Sequence, residues 1–348
     1  MTTYSAAERA AMTRALTLAV SPDVPVGLHA RVGCVLVADD GSTVAEGYHR
    51  GAGTPHAEAD ALQRAGSAAR GTTAVVTLEP CNHTGRTGPC AVALVEAGVR
   101  RVVYAQADPN PVAAGGADTL RAAGIEVVGG LEEAAAREVN RIWMFAVAHQ
   151  RPFVTWKFAT TLDGRSAAAD GSSRWISSTA SRRDTHRLRA RCDTMLVGTG
   201  TIAVDDPLLT VRDDDDQPLA RQPLRVVMGE RDLDPASRVL GDDAETLHLR
   251  TREPAVALAE LFARGRHRVF LEGGPTLAAA FVRAGLVDEI VVYVAPLLLG
   301  SGLNAVADLG ITTIADAFAP VVTDVTVLPG VDGEQPNVRL TLAPGKDR

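Results

Sequence analysis

The chain is poor in aromatic residues and cysteine, and it contains no long apolar run. Aromatic residues make up 4% of its 348 residues, and there are four cysteines. So few cysteines do not form the disulfide framework typical of a small secreted domain. No segment approaches the ~20 apolar residues of a membrane span, and the N-terminus lacks the basic and apolar segments of a signal peptide. We therefore expect a cytoplasmic protein with no membrane partner.

Excess positive charge is also missing. Lysine and arginine number 35 against 42 acidic residues, and the formal net charge is −7. Extended nucleic-acid binding needs basic side chains that neutralise phosphates, so we expect no nucleic-acid partner. A local arginine cluster could still hold one small phosphate: Arg182, Arg183, Arg187, Arg189 and Arg191. The length and the 46% hydrophobic content suit two domains with separate cores.

A histidine, a glutamate and two cysteines form the most informative pattern. His56 precedes Glu58 by two residues, a Glu-Pro-Cys turn ends at Cys81, and Cys90 follows. One imidazole and two thiolates can bind zinc and leave a fourth position open, as catalytic zinc sites do. Zinc lowers the pKa of bound water, and in zinc deaminases a glutamate that is not a ligand then moves protons. We predict His56, Cys81 and Cys90 as metal ligands and Glu58 as the catalytic acid/base.

Each of these residues alone has a simpler interpretation. A single cysteine is more often a small buried residue than a ligand, and Glu58 alone could be a first-turn helix carboxylate. The joint order and spacing favour the metal site. Cys34 and Cys192 fall outside the pattern in apolar, strand-like surroundings, and we predict that both are core thiols.

Hydrophobic periodicity predicts alternating helices and strands, and therefore an α/β protein. We place a domain boundary at Arg151-Pro152, which gives domains 1–150 and 151–348. In the first we predict helices at 6–20, 56–62, 90–97, near 120 and over 131–150, and strands at 35–38, 44–48, 74–78, 101–105 and 125–128. In the second we predict strands at 153–159, 194–197, 224–228, 269–271 and 290–295, and helices at 183–189, 256–263 and 276–284. Open α/β sheets bind ligands at strand ends, which is where Cys81 falls.

Two glycine-rich junctions follow predicted strands of the second domain. Residues 198–203 read Gly-Thr-Gly-Thr-Ile-Ala and match the G-x-G-x-x-A form of a dinucleotide-binding loop. Residues 272–276 read Glu-Gly-Gly-Pro-Thr and open a helix, whose free N–H groups attract phosphate. Either junction alone could be a tight strand-to-helix turn. Two in one domain favour a dinucleotide cofactor.

Residues 77–90 carry a resemblance to a known family. Cytidine and tRNA adenosine deaminases usually separate the two cysteines by two residues, whereas eight residues separate Cys81 from Cys90. This spacing, with its Gly-Arg-Thr-Gly-Pro-Cys ending, resembles the deaminase of riboflavin biosynthesis. Segments of the second half resemble the riboflavin-pathway reductase, a domain similar in fold to dihydrofolate reductase: 157–164, 172–177, 204–212 and 272–277. Nearly the whole chain therefore resembles the bacterial bifunctional riboflavin biosynthesis family.

The resemblance implies an N-terminal cytidine-deaminase-like three-layer α/β domain and a C-terminal dihydrofolate-reductase-like α/β domain. It also implies zinc-dependent deamination of 2,5-diamino-6-ribosylamino-4(3H)-pyrimidinone 5′-phosphate to 5-amino-6-(5-phosphoribosylamino)uracil. NADPH would then reduce the ribosyl group to a ribityl chain. We accordingly expect zinc and NADPH as cofactors and small phosphoribosyl-pyrimidines as substrates, and we expect a homo-oligomer.

Site residues are carried over by matching motif positions. The deaminase substrate would contact His49, His83 and Arg86, the last suited to its phosphate. Lys157 matches the lysine of the reductase site, with a surface-reaching strand lysine as the alternative. The other reductase positions are the substrate residues Ser173, Arg189, Leu209, Arg212 and Glu272, and the cofactor residues Ala159, Trp175, Thr201, Asp205, Gly274, Pro275 and Thr276. Trp175 could instead be a core residue.

One position departs from the family pattern. His29 stands where the family has an asparagine that contacts substrate. This departure motivates an alternative, a reductase whose N-terminal domain is a non-catalytic zinc module, but Glu58 argues against it. A nucleic-acid deaminase fused to a reductase is opposed by the acidic net charge and by the cysteine spacing.

Overall fold

The computed structural model describes residues 4–22, 24, 29–51, 53–83 and 88–345. The chain divides into two compact units, Met1–His149 and Gln150–Arg348. Both units alternate helices with strands. Among the described residues, no helix combines the length and the apolar character that crossing a bilayer requires.

The first unit is built on a five-stranded sheet. Its strand order is β2-β1-β3-β4-β5, in which β1 is antiparallel to β2 and β3 while β3, β4 and β5 are parallel. The elements are α1 (Ala6–Ala19), β1 (Gly33–Val37), β2 (Thr43–Tyr48), α2 (Ala57–Ala65), β3 (Thr73–Leu78), α3 (Cys90–Glu96), β4 (Arg101–Gln106), α4 (Gly116–Ala122), β5 (Glu126–Gly129), α5 (Glu133–Val139) and α6 (Arg141–His149).

The alternation of strand side chains gives this sheet two apolar faces. Val75 packs with α1 and α5, whereas its neighbour Val76 packs with α2, α3 and α4. The first unit therefore has three layers. Gly47 sets the distance between β2 and α2, because a Cβ there would lie 2.3 Å from the carbonyl oxygen of Ala57. This close approach holds the start of α2, and with it His56, against the sheet.

The second unit contains an eight-stranded sheet. Its order is β10-β9-β8-β11-β6-β12-β15-β14, parallel from β10 through β12, with β15 and β14 added antiparallel. A small pair joins β7 to β13. The elements are β6 (Phe153–Thr161), β7 (Arg165–Ala167), α7 (Thr179–Arg189), β8 (Thr194–Gly198), α8 (Thr199–Asp205), β9 (Leu224–Met228), β10 (Thr246–Leu249), α9 (Pro254–Ala263), β11 (Arg268–Leu271), α10 (Pro275–Arg283), β12 (Glu289–Ala295), β13 (Leu303–Asn304), β14 (Val321–Leu328) and β15 (Asn337–Ala343).

Helices cover both faces of the larger sheet. Phe281 of α10 and Leu258 of α9 pack on one face against Val154 and Leu271, while Leu188 of α7 packs with Met195 and Phe270 on the other. The thiols of Cys34 and Cys192 are buried in apolar clusters, as predicted from their surroundings.

The structure departs from the predicted elements in the segment 131–150. The sequence predicted one helical segment, but α5 ends at Val139 and α6 begins at Arg141. Asn140 lies between them and is 1% exposed. Its side chain accepts the main-chain N–H of Arg31 at 2.8 Å and donates to the carbonyl oxygen of Arg31 at 3.0 Å. The side chain at the break therefore supplies hydrogen-bond partners for the main-chain N–H and carbonyl groups of Arg31, a residue distant in sequence.

Candidate active sites

Three elements bring the predicted metal ligands together. His56 is the N-cap of α2, Cys81 follows the end of β3, and Cys90 is the first residue of α3. His56 Nδ1 lies 3.5 Å from Cys81 Sγ and 3.3 Å from Cys90 Sγ. Normal bond lengths in a tetrahedral zinc site place nitrogen and sulfur ligands about 3.6 Å apart. The donor set and its spacing therefore fit zinc.

The sulfur atoms are arranged to favour a thiolate. Cys90 donates from its thiol and, at 3.4 Å, from its main-chain N–H to Cys81 Sγ, and His56 adds a further contact. These interactions lower the pKa of Cys81. The same contact with Cys81, together with burial, raises the pKa of Cys90. Zinc binds thiolates, so the lowered pKa of Cys81 favours its role as a metal ligand.

Glu58 lies in the first turn of α2, two residues after the metal ligand His56. Its side chain is buried, with 4% exposure, and burial raises its pKa to about 7. Glu58 lines a cavity of about 240 Å³ together with His56 and Cys81. A carboxyl group with a pKa near neutrality can both take up and release a proton.

The same cavity contains two of the predicted substrate residues. His49 and His83 line it, while Arg86 lies outside the described residues. Burial lowers the pKa of His49. The His49 ring lies edge-on to the rings of His29 and His56. The distances between ring centroids are 5.7 Å to His29 and 5.4 Å to His56. His29, the residue that departs from the family pattern, therefore lies within the site.

The cavity also includes residues that the sequence reasoning missed. Asp108 and Asn110 follow β4, the parallel neighbour of β3, and Trp143 enters from α6. Glu79 supports this loop by accepting the N–H groups of Asp108 at 3.3 Å and Ala117 at 3.0 Å. The strand-end rule could have pointed to Asp108 and Asn110. Trp143 carries no local signal of this kind.

A second cavity, of about 580 Å³, joins the two glycine-rich junctions of the second unit. Residues 198–201 and 274–277 both line it, because β8 and β11 are parallel neighbours whose C-terminal ends meet. The first junction differs from the predicted loop in that residues 199–205 form the short helix α8. Arginines also line the cavity: Arg231, Arg252 and Arg283. Glycine backbone and cationic side chains suit a cofactor that carries phosphates.

Four predicted cofactor residues line this cavity, namely Thr201, Gly274, Pro275 and Thr276, while Ala159, Trp175 and Asp205 do not. Trp175 is 66% exposed, so the alternative of a core residue is wrong. The Arg182 guanidinium lies 4.6 Å from its ring centroid. Asp205 faces Arg174 at 3.8 Å. Ala159 lies on β6, paired with Tyr293 of β12.

An ion cluster unites several predicted reductase residues. Arg189 binds Glu272 through two hydrogen bonds of 2.9 and 2.5 Å. Burial opposes the charge of Glu272, but Arg189 and Lys157 outweigh it and lower its pKa to about 2. Burial lowers the pKa of Lys157, and Glu272 counters part of that effect. Lys157 is therefore part of the cluster.

The segment 209–212 borders this cluster. Arg189 donates to the carbonyl oxygen of Thr210 at 3.2 Å. Leu209 is buried and has a φ of +54°, and the Arg212 guanidinium pairs with Asp216 at 3.0 Å. Ser173 is in the loop before α7, where its carbonyl oxygen accepts the N–H of Ile176.

Comparison with known proteins identifies the family. Residues 6–106 match the cytidine and deoxycytidylate deaminase zinc-binding region, and residues 152–327 match the RibD C-terminal domain. Riboflavin biosynthesis protein RibD of Mycobacterium tuberculosis (strain H37Rv) is 53% identical over 288 residues, which cover 82% of this chain and 84% of that protein. RibD of Escherichia coli (strain K12) is 41% identical over 340 residues, covering 88% and 92% of the two chains.

The chain belongs to the RibD family.

The solved structures agree with this assignment. Acinetobacter baumannii RibD, form 1, superposes with a TM-score of 0.86 at 36% identity and covers 98% of this chain and 99% of that chain. The diaminohydroxyphosphoribosylaminopyrimidine deaminase/5-amino-6-(5-phosphoribosylamino)uracil reductase of Thermotoga maritima gives 0.83 at 29% identity, covering 97% and 99%. The fold class predicted from the sequence is confirmed.

As a RibD protein, the chain is a bifunctional enzyme with a zinc-binding deaminase domain and an NADPH-dependent reductase domain. The predicted cofactors and enzyme class are confirmed. A reductase with a non-catalytic zinc module is not favoured, since both family models match and the metal ligands converge.

Proposed function

We propose that residues 1–150 deaminate 2,5-diamino-6-ribosylamino-4(3H)-pyrimidinone 5′-phosphate. Residues 151–348 then reduce the product with NADPH to 5-amino-6-(5-phospho-D-ribitylamino)uracil. The observation that carries the proposal is the buried carboxyl of Glu58, which shares one cavity with His56 and Cys81. The division into units Met1–His149 and Gln150–Arg348 supports the assignment of one reaction to each.

In the deaminase site His56, Cys81 and Cys90 would hold zinc, which would activate a water molecule as the nucleophile. Glu58 takes the proton from the attacking water and delivers it to the departing ammonia, a role that its raised pKa suits. We assign substrate binding to the histidines and polar groups that line the same cavity, His29, His49, His83, Asp108 and Asn110. We also assign it to Arg86, which lies outside the described residues. Burial of Glu58 keeps bulk water from competing for that proton.

In the reductase site NADPH supplies the hydride. Gly274, Pro275 and Thr276 lie at the start of α10, whose first turn leaves main-chain N–H groups free, and Thr201 lies in the neighbouring helix α8. These residues would hold the phosphates of the cofactor. We assign Ala159, Trp175 and Asp205 to the remainder of the cofactor. The pyrimidine binds at Ser173, Arg189, Leu209, Arg212 and Glu272.

Lys157 takes the catalytic role in the reductase site. Burial lowers the pKa of its ammonium group, which makes that group a stronger acid. It would therefore be able to donate a proton to the ring oxygen of the ribose, whose bond to C1′ breaks as that carbon is reduced.

The test uses the purified full-length protein with zinc and the diamino substrate, assayed with and without NADPH. Ammonia should be released under both conditions, whereas NADPH should be consumed only after deaminated product has formed. Absence of ammonia release by zinc-loaded protein would refute the deaminase assignment. Failure to oxidise NADPH when the deaminated pyrimidine is added directly would refute the reductase assignment.

We also propose that the enzyme is a homo-oligomer. The edge strand β14 exposes Val325 and Val327, which are 60% and 65% accessible, and Ile314 nearby in sequence is 92% accessible. Apolar side chains on a sheet edge favour association with a second copy. Light scattering should give a mass above that of one chain, and Val325→Asp should reduce it.

A cytoplasmic location is the final part of this proposal. None of the four cysteines forms a disulfide, and a reducing compartment preserves cysteines in this state. Cell fractionation followed by immunoblotting tests this location, and enrichment in a secreted or membrane fraction would contradict it.

A further inference from the structure

His186 lies in the last turn of α7 and contacts a predicted substrate residue. The main-chain nitrogen of Arg212 lies 3.1 Å from His186 Nδ1. A main-chain N–H can only donate, so Nδ1 must accept and the ring carries its proton on Nε2. In a doubly protonated ring, the N–H at Nδ1 would face the N–H of Arg212, and neither group could accept. The contact therefore requires neutral His186.

Helix α7 holds the segment 209–212 at two points. Arg189, three residues after His186, donates to the carbonyl oxygen of Thr210 at 3.2 Å, while His186 accepts from the amide of Arg212. Residues three apart lie on the same face of a helix. The side chains of His186 and Arg189 thus hydrogen-bond to the main chain at Arg212 and Thr210. These two contacts fix the position of the segment along α7.

The position of the Arg212 main chain controls the position of its guanidinium. Nε of Arg212 lies 3.4 Å from Thr210 Oγ1, and the terminal nitrogen lies 3.0 Å from Asp216. Its side chain is 26% exposed, so the charged end can meet a ligand. A shift of the amide that His186 holds would therefore displace this charge.

We propose that His186 is a positioning residue of the reductase, which acts through the Arg212 amide to align the Arg212 guanidinium with the phosphorylated pyrimidine. This proposal rests on the proposed function of the second unit. His186 does not line the glycine-rich cavity. Its loss should therefore weaken recognition of the pyrimidine and leave recognition of NADPH intact.

The experiment compares His186→Leu with His186→Asn in full-length, zinc-loaded enzyme, with the deaminated pyrimidine as the reductase substrate. Leucine removes the acceptor, whereas the asparagine oxygen can occupy the place of Nδ1. His186→Leu should raise the KM for the pyrimidine about five- to tenfold, as expected for loss of one hydrogen bond. The KM for NADPH and the deamination rate should not change. His186→Asn should restore the pyrimidine KM to within about threefold of wild type.

A control variant removes a different link between α7 and the same loop. Arg187 pairs with Asp214 at 2.6 Å, and both side chains are exposed. Asp214→Asn should leave the pyrimidine KM within about twofold of wild type, because exposed ion pairs contribute little.

Three results would overturn the inference: equal KM values for the leucine and asparagine variants, a parallel rise in the KM for NADPH, or an equal effect of Asp214→Asn. If His186→Leu does not fold, a His186→Asn KM more than tenfold above wild type would have the same meaning. A wild-type enzyme that does not reduce the pyrimidine would instead refute the proposed function. The two failures are thus distinguishable.

Discussion

The main-chain N–H of Cys90 points at the sulfur of Cys81, with a nitrogen–sulfur distance of 3.4 Å. This contact brings the end of β3 to the start of α3 and closes the loop that separates the two cysteines. Together with the thiol of Cys90 and with His56, it lowers the pKa of Cys81. The metal site is therefore largely organised by the fold.

Replacing either cysteine ligand by serine should abolish zinc binding. Cys81→Ser and Cys90→Ser remove a soft thiolate that zinc prefers, so metal analysis of the purified variants should give far less than one zinc per chain. Cys192→Ser is the matched control, because that thiol is buried elsewhere against Met195 and Phe270. Full zinc content in Cys81→Ser would contradict the ligand assignment.

Glu58→Gln should reduce the deamination rate by about 10²- to 10⁴-fold. Zinc content and NADPH-dependent reduction should stay at wild-type levels. The amide preserves the size of the side chain but cannot carry a proton. Ammonia release and NADPH oxidation measure the two activities separately. Glu96→Gln, on the exposed side of α3, is the control. Wild-type ammonia release by Glu58→Gln would show that another group moves the proton.

The local sequence predicted the metal ligands of the deaminase site better than it predicted the elements of the second unit. His56, Cys81 and Cys90 lie at element boundaries that hydrophobic periodicity locates, and their chemistry is specific. Trp143 reaches the cavity from α6, where its helical pattern gives no hint of a ligand.

The sequence analysis predicted no strand after residue 295 and so missed β14 and β15, for a comparable physical reason. β14 has exposed valines along its length, and its pairing with β15 shifts register between Val322 and Asp324. An edge strand with this pattern lacks the alternation that marks a half-buried strand. The break at Asn140 could not be predicted locally, because its hydrogen-bond partner, Arg31, is distant in sequence.

Glu272→Gln should destabilise the second unit much more than removal of an exposed pair. The substitution leaves Arg189 buried without its carboxylate partner, and loss of one member of a buried pair costs about 3–5 kcal/mol. The control is Glu260→Gln, whose pair with Arg264 is exposed by 44–47% and should contribute less than about 1 kcal/mol. Urea unfolding measures the free energy of unfolding of each. Equal values for the two variants would mean that water already screens the Glu272 pair.

Stability should fall between pH 7 and pH 5 in part because of His186. Burial, followed by the charge of Arg189, lowers its pKa from 6.5 to about 4, while Arg212 adds to this effect and Glu272 and Asp216 oppose it. The unfolded chain thus binds a proton at His186 before the folded chain does. Its contribution to stability is complete above pH 6.5 and is lost as the pH falls toward 4. Urea unfolding of wild type and His186→Asn at several pH values measures the difference. The wild type should lose more stability than the variant from pH 7 to pH 5, and parallel losses would mean that His186 titrates normally in the folded enzyme.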